Sequence, residues 1–216
     1  MHCGNFLYAT VWSACGEGDC VLIGTIVKSN SHISYMCRVF GKLESAELPP
    51  PSAYSFGTFV TLEQVDGEGI SLVGVIRDTF LINPQIDSLG PRLSSDRDLS
   101  VFSPDFLNEK GVLVDILVVG WLEGSEPHHG IPALSAQVGT RVETMRDAEV
   151  HSFHATQEQK FFAGYLPQLM ARNDATVFSL LLTILDRLEP EFPDQSGVIG
   201  LLRNNLAWKS RVVPAG

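Results

Sequence analysis

The sequence predicts an α+β protein in which an N-terminal antiparallel β-barrel is followed by a C-terminal α-helical domain. Two observations predict this class. Up to about residue 145, short runs rich in β-branched residues alternate with turn signals, which is typical of β-strands. Beyond that position, apolar residues recur at intervals of three and four, as they do along one face of a helix. We therefore divide the chain into a barrel domain, residues 1–145, and a helical domain, residues 146–216.

Four strands are predicted in the first part of the barrel domain, as two antiparallel pairs. Residues 20–27 are β-branched and bounded by turn residues, and residues 33–40 follow as their mate. After a proline-rich connection, residues 56–65 and 70–80 flank the sequence Asp66-Gly67-Glu68-Gly69. Because glycine adopts positive φ angles without steric cost, this sequence predicts the tight turn of a hairpin.

The rest of the barrel domain is predicted to hold a long loop, a buried strand and a turn. Residues 83–110 contain several prolines and serines and the charged stretch Asp96-Arg97-Asp98, a composition typical of a surface loop. The dense apolar run at residues 112–121 predicts a strand that is buried on both faces. An exposed turn is expected at residues 126–130, which include His128 and His129.

Helix starts in the second half are indicated by capping signatures. Thr144 with Asp147 resembles a capping box, and Thr156 with Gln159 matches one, so a helix is expected to follow each. Pro167 should then break or kink the second of these helices, because proline lacks the backbone N–H that a helix interior requires.

Two further helices are predicted from apolar periodicity. One covers residues 175–188 with Asn173 or Asp174 as its cap, and the other covers residues 195–208 with Asp194 as its cap. Four apolar residues of the last helix are expected to share one side: Val198, Ile199, Leu202 and Leu206.

Charge and targeting signals narrow the classes of function. The net charge of −10 repels phosphate backbones, so direct binding of nucleic acid is not expected. There is no Lys or Arg before Lys28 and no apolar core leading to a cleavage site, so no secretory signal is predicted. Without a membrane-spanning apolar run, the expected location is the cytoplasm and no membrane partner is expected.

Four cysteines lack the spacing of a zinc ribbon and are expected to be reduced thiols, with metal binding or disulfides as the alternatives: Cys3, Cys15, Cys20 and Cys37.

The common catalytic and cofactor-binding motifs are missing from the sequence. Gly41-Lys42 is followed by leucine and has no glycine five positions before it, so it is not a phosphate-binding loop. Gly16-Glu17-Gly18 lacks the third glycine of a dinucleotide fingerprint, and no G-x-S-x-G nucleophile elbow occurs. We therefore predict no catalytic residue, no cofactor and no enzymatic activity.

Two histidine pairs are candidate metal ligands. His151 and His154 are three residues apart on a predicted helix and could bind a metal together with Glu149 or Glu158. The favoured interpretation is two partly exposed histidines near a helix end. His128 and His129 are interpreted as solvated loop residues.

Two charged stretches receive structural interpretations as well. Asp96 and Asp98 are interpreted as a solvated charge run, because they lack the later ligands of a cation loop. The C-terminal segment is basic and could meet an acidic partner or a phosphate backbone; the favoured interpretation is an amphipathic helix whose cations complement its dipole. This segment contains Arg203, Trp208, Lys209 and Arg211.

Several stretches of the barrel domain resemble the HAS-barrel, the N-terminal barrel of HerA-type DNA translocases that is related to the barrels of ATP synthase subunits. Three of them repeat glycine with β-branched neighbours: Ile23-Gly24-Thr25-Ile26-Val27, Phe56-Gly57-Thr58-Phe59-Val60-Thr61-Leu62 and Leu72-Val73-Gly74-Val75-Ile76. Residues 119–124, 130–134 and 138–142 are similar to the closing part of that barrel. The resemblance covers residues 18–155.

The resemblance implies assembly rather than catalysis. HerA-type enzymes continue from the barrel into a RecA-like ATPase, whereas this sequence continues into a helical segment without a phosphate-binding loop, so a stand-alone barrel is expected. The implied function is a non-catalytic assembly or adaptor module that self-associates or docks on an ATPase or nuclease partner linked to DNA processing. The alternatives are a small-barrel nucleic-acid-binding protein and a metal-dependent enzyme using His151 and His154.

Overall fold

A computed structural model of the chain describes residues 20–41, 44–45, 47–63, 69–83, 111–172, 174 and 176–212. Within these ranges lie seven β-strands, four α-helices and three short 3-10 helices. Most of the predicted loop at 83–110 falls outside the described residues, as do Cys3, Cys15, Asp96 and Asp98.

The strands come first in the chain, and the helices follow. The strands are β1 (Leu22–Ser31), β2 (Ser34–Val39), β3 (Phe59–Glu63), β4 (Ile70–Ile82), β5 (Gly111–Glu123), β6 (Glu126–His129) and β7 (Arg141–Thr144). The helices are α1 (Asp147–His154), α2 (Leu166–Met170), α3 (Val177–Leu188) and α4 (Ser196–Val212). The 3-10 helices are Pro51–Tyr54, Glu189–Glu191 and Pro193–Gln195. This order confirms the predicted α+β class.

Six of the strands close into an antiparallel barrel. Their order is β2-β1-β7-β3-β4-β5, and β5 pairs back with β2 to complete the ring. Strand β5 is long enough for one of its edges to pair with two other strands. Its first half pairs with β2, from Leu113 opposite Arg38, and its second half pairs with β6, from Gly120 opposite His129. The predicted antiparallel barrel and both predicted hairpin pairs are therefore confirmed.

The core is continuous from the barrel into the helices. Residues 114–120 of β5 are buried, which confirms the prediction of a strand covered on both faces. A single cluster of buried apolar side chains includes Ile116 of the barrel, Phe153 of α1 and Leu180 of α3. Burial of apolar surface is the dominant stabilising term in folding, so the barrel and the helices share their main source of stability.

The close approach of β1 to β2 explains why residue 24 in the barrel motif is a glycine. A Cβ atom at this position would lie 1.9 Å from the backbone oxygen of Arg38 on the neighbouring strand β2. No side chain fits such an approach, so glycine is required here for close strand packing rather than for a special φ angle.

Three local predictions are wrong. The turn expected at residues 126–130 is largely strand β6, because the end of β5 extends beyond β2 and leaves an edge that β6 covers. Thr144 belongs to β7, and α1 is capped by Arg146, whose backbone N–H donates to Glu149 at 2.9 Å. No helix follows Thr156, where a turn forms in which Gln159 has a φ angle of 57°.

The helical segments otherwise lie close to their predicted positions. Helix α2 begins at Leu166 with Pro167 in its first turn, so this proline starts a helix instead of breaking one. Before α3, the Asp174 carboxylate accepts the backbone N–H of Thr176 at 2.9 Å, but the N-cap position itself is occupied by Thr176 and not by Asp174 as predicted. Asn173 lies outside the described residues. In the part of the chain that is described, no helix has the length and apolar character needed to cross a membrane.

Candidate functional site

The two histidines of α1 occupy different environments. His154 is fully buried, which contradicts the interpretation of both residues as partly exposed. Because a carbonyl can only accept, the Nδ1–H of His154 donates to the backbone oxygen of Val150 at 2.7 Å. The Tyr165 hydroxyl then donates to the other ring nitrogen at 2.8 Å. His151 is partly buried, and its ring stacks on Phe192 with centroids 4.5 Å apart.

His129 joins three segments of the chain. Its Nε2–H donates to the backbone oxygen of Phe153 at 2.8 Å, and the backbone N–H of Gly164 donates to Nδ1 at 2.9 Å. The ring also stacks on Phe153, with centroids 4.4 Å apart. His129 is thus a half-buried residue of β6 whose hydrogen bonds connect this strand to α1 and to the segment before α2. The interpretation of this residue as solvated is wrong.

Burial keeps both of these rings neutral. Desolvation lowers the pKa of His154 from its usual 6.5 to about 3, more than the hydrogen bond to Val150 raises it. Desolvation also lowers the pKa of His129. Each ring has one protonated nitrogen that donates and one lone pair that accepts, so neither has a nitrogen left for a metal or a substrate.

The other proposed metal ligands are engaged elsewhere. The Glu149 carboxylate binds Arg146, and the Glu158 carboxylate binds Lys160. Among the residues that the structure describes, no group of three or more His, Cys, Asp or Glu side chains is close enough to hold a metal ion. The Cys37 thiol is buried, and desolvation raises its pKa to about 12, so it is not a reactive thiolate at neutral pH.

A charged network that the sequence analysis missed links the barrel to the helical region. Arg77 of β4 contacts Asp115 of β5 and Asp174 before α3, each with an N–O distance of 2.7 Å. Asp115 is buried and also accepts the Ser34 hydroxyl at 3.1 Å. Hydrogen bonds from the Thr176 backbone and hydroxyl, together with the Arg77 charge, lower the pKa of Asp174. The signals available in the sequence were the charged residues within two apolar runs, Arg77 in β4 and Asp115 in β5.

An apolar groove opens between α4 and the segment around α2. Its volume is about 500 Å³, and we call it the helical groove. Pro167 starts α2 at one wall, and side chains of α4 form the other. The lining side chains are almost all apolar and include Phe162, Leu166, Met170, Leu202, Leu206 and Lys209. This composition is typical of a binding surface for another apolar group.

Helix α4 also has apolar residues that face away from the core. Val198, Leu201 and Trp208 are 56%, 63% and 65% exposed, and we call the surface that they form the outer face of α4. Ile199 and Leu206 are buried. The prediction that Val198 shares their side is therefore wrong.

The basic C-terminal segment is partly used within the protein. Arg203 forms ion pairs with Asp186 at the end of α3 and with Glu189 just after it. Lys209 lines the helical groove, and Trp208 is exposed beside it. Among the side chains of this segment that the structure describes, Arg203 therefore belongs to an internal ion-pair cluster and Lys209 is a surface cation. Of Arg211, only the backbone is described.

The fold and these surfaces define a closed antiparallel β-barrel that carries a helical region with an apolar groove. The chain belongs to the family described as Domain of unknown function (DUF8166), whose profile matches residues 13–215. No curated protein matches the chain.

The hydrogen bond between Tyr165 and His154 gives a direct test of the contacts that hold the buried His154 ring. Tyr165→Phe leaves the Nε2 lone pair of His154 buried and without a donor, so the free energy of unfolding should fall by about 1–2 kcal/mol. Urea denaturation measures this loss. Tyr54→Phe is the control, because the Tyr54 hydroxyl makes no hydrogen bond within the described ranges; an equal loss in both variants would contradict the role of the Tyr165 hydroxyl.

Proposed function

We propose that the protein is a non-catalytic assembly module of the cytoplasm that binds a protein partner through its helical region. The observation that carries this proposal is the helical groove, an apolar cleft of about 500 Å³ with Phe162 51% exposed at its edge. A groove of this kind leaves apolar surface in water, and covering it contributes roughly 25 cal/mol per Å² buried. The partner is therefore expected to present apolar side chains.

The charge at the groove specifies the partner further. Lys209 is the one charged side chain that lines the groove in the described part of the chain. An amphipathic segment whose apolar side chains enter the groove, with an acidic residue at the end nearest Lys209, fits this combination. Because the protein has a net charge of −10, this basic position is also a point where an acidic partner segment meets attraction instead of repulsion.

The polar clusters support a non-catalytic role. The ring nitrogens of His129 and His154 are all used in internal hydrogen bonds. The Arg77 guanidinium is held between two carboxylates. Groups engaged in this way stabilise the fold, whereas a catalytic acid, base or nucleophile must be able to reach a substrate.

The class of partner follows from the resemblance to HAS-barrels. In that family the barrel belongs to HerA-type ATPases and offers a docking surface to a nuclease, so a P-loop ATPase or nuclease of DNA processing is the partner we propose. Direct binding of nucleic acid is not part of the proposal, because the charge balance gives no general attraction to phosphates.

Substitution of Phe162 tests the groove. Phe162→Asp places a carboxylate at an exposed apolar position, and the control Val138→Asp does the same at a residue that is 76% exposed and lies before β7. The tagged wild type and Val138→Asp, isolated from the native cell, should retain a P-loop ATPase or nuclease in near-stoichiometric amount. Phe162→Asp should lose at least about 90% of it, as expected when a large aromatic contact of a small interface is replaced by a charge.

Circular dichroism checks that both variants remain folded. The proposal is overturned if no ATPase or nuclease is retained, or if its amount is the same in folded Phe162→Asp as in the wild type. The proposal would also be contradicted if Val138→Asp lost the partner and Phe162→Asp kept it, because the interaction surface would then lie on the barrel.

A further inference from the structure

We propose that the outer face of α4 binds the same face of a second copy of this chain, as an antiparallel helix pair with two-fold symmetry. This inference rests on the assembly function proposed above and names one partner in it. It starts from the exposed residues Val198, Leu201 and Trp208, which lie on one side of α4 while Ile199 and Leu206 are buried on the other. The core of a single copy uses only the second of these sides.

The shape of the outer face is self-complementary. Gly197 and Gly200 carry no side chain, and a Cβ atom at either position would meet nothing within 4 Å, so two positions in the first half of α4 are bare and open; we call this low part of the surface the notch. Trp208 projects from the second half, about 12–16 Å further along the axis at a rise of 1.5 Å per residue. An antiparallel pair places Trp208 of each copy over the notch of the other, and the two-fold axis makes both contacts equivalent. A parallel pair would instead place the two tryptophans side by side.

The charges at the two ends of the helix favour the same orientation. Asp194 lies just before the start of α4, and Lys209 lies near its end. Within the ranges that the structure describes, neither side chain forms a salt bridge. Antiparallel pairing about the middle of the helix brings Lys209 of one copy close to Asp194 of the other, twice per dimer, whereas parallel pairing would bring like charges together.

These features select a second copy over an unrelated partner. Trp208, the notch and Lys209 lie on α4 and Asp194 lies just before it, and these four features match when the segment is rotated onto a second copy of itself. A surface that binds an unrelated protein needs only one member of each complementary pair, because the partner supplies the other member. The contact is short, and we therefore expect reversible dimerisation with a Kd in the micromolar range, as for interfaces at the small end of the size distribution.

Sedimentation velocity of the purified full chain, from about 1 to 100 µM, measures this association. The wild type should change from monomer to dimer across that range. Trp208→Ser should weaken dimerisation at least about tenfold, because it removes the central aromatic contact. Phe162→Asp should dimerise like the wild type, because Phe162 lies outside the outer face of α4.

Charge reversal tests the antiparallel orientation. Lys209→Glu and Asp194→Lys should each weaken self-association at least about tenfold, because each creates two like-charge contacts in a homodimer. An equimolar mixture of the two variants should regain the affinity of the wild type, because both contacts of the heterodimer are then attractive. Circular dichroism confirms that helix content is unchanged in each variant.

Three results would overturn the inference. The wild type could stay monomeric at every concentration, or Trp208→Ser could dimerise with the affinity of the wild type. The third such result is a mixture of Lys209→Glu and Asp194→Lys that does not associate. The failure of this inference is distinguishable from that of the proposed function. A monomeric protein that still retains its Phe162-dependent partner would refute the α4 dimer and leave the assembly function intact.

Discussion

Replacing Asp115 by alanine should lower the free energy of unfolding by about 3–5 kcal/mol, because the change leaves a largely buried arginine without its main partner. Arg77 donates to Asp115 from two nitrogens, at 2.9 and 2.7 Å, and only 15% of its side chain is exposed. Asp174 would remain as a second partner, but its side chain is 30% exposed, against 6% for Asp115, and it lies on the helical side of the network. The loss is measured by urea denaturation at neutral pH.

Two further variants separate the ion pair from a general effect of mutation on the barrel. Asp78→Ala removes an exposed carboxylate of β4 whose hydrogen bond is to the backbone of Thr79, and it should change stability by no more than about 0.5 kcal/mol. The double variant Arg77→Met with Asp115→Leu removes both charges and should recover much of the loss, because no uncompensated charge stays buried. If Asp115→Ala costs no more than Asp78→Ala, the network contributes nothing to stability.

The barrel could be predicted because strand formation in it depends on local signals. Residues 20–27, 70–80 and 112–121 combine β-branched residues with clear turn boundaries; the last two lie within strands, and the first does so from Leu22 onwards. Strand β6 was missed because its sequence, Glu-Pro-His-His, has no apolar alternation. It forms because β5 offers an unpaired edge, which is a property of the folded sheet and not of residues 126–129.

The helix predicted after Thr156 shows how tertiary contacts override a capping signature. The Thr156 hydroxyl accepts the backbone N–H of Lys160 at 3.1 Å, as in a local turn, and the backbone N–H of Phe161 donates to the Gln195 side chain at the start of α4. A capping box indicates where a helix can begin, but it does not supply the apolar periodicity that a helix needs to pack. The apolar residues that follow Thr156 instead pack against His129 and His154 and line the helical groove.

The candidate sites combine segments that are distant in the chain, which limits what sequence patterns can predict. His129 and His154 were both considered as surface residues, because nothing in the sequence links β6 to the segment before α2. The helical groove likewise needs Phe162 and Leu202 to meet across α2 and α4. Leu201 could have been separated from the core in advance, because it is two residues from Ile199 and five from Leu206, and these spacings place it on another side of a helix. Val198 could not, because it is eight residues before Leu206, a spacing that belongs to the same apolar stripe.

Acidification from pH 6.5 to 5 should lower the free energy of unfolding by about 1.7 kcal/mol through His154 alone, because the unfolded chain takes up the proton that the folded ring refuses and one unit of pKa difference corresponds to about 1.36 kcal/mol. The folded pKa of His154 is about 3, below the usual 6.5, so the folded protein keeps this ring neutral while the unfolded chain takes up a proton. The stabilisation is fully present above pH 6.5 and is lost as the pH falls towards 3. His129 acts in the same direction, because burial lowers its pKa as well.

The slope of unfolding free energy against pH isolates His154 from the other titrating groups. Glu143 has a pKa raised by burial and therefore acts in the opposite direction, while Asp174 affects stability only below its ordinary pKa of 3.8. His154→Gln retains a side chain that can hydrogen-bond to Tyr165 but removes the titration. Between pH 6 and 5 its slope should be smaller than that of the wild type by about 1 kcal/mol per pH unit, whatever its absolute stability. Equal slopes would mean that His154 binds a proton in the folded state, and the neutral ring held between Val150 and Tyr165 would then be wrong.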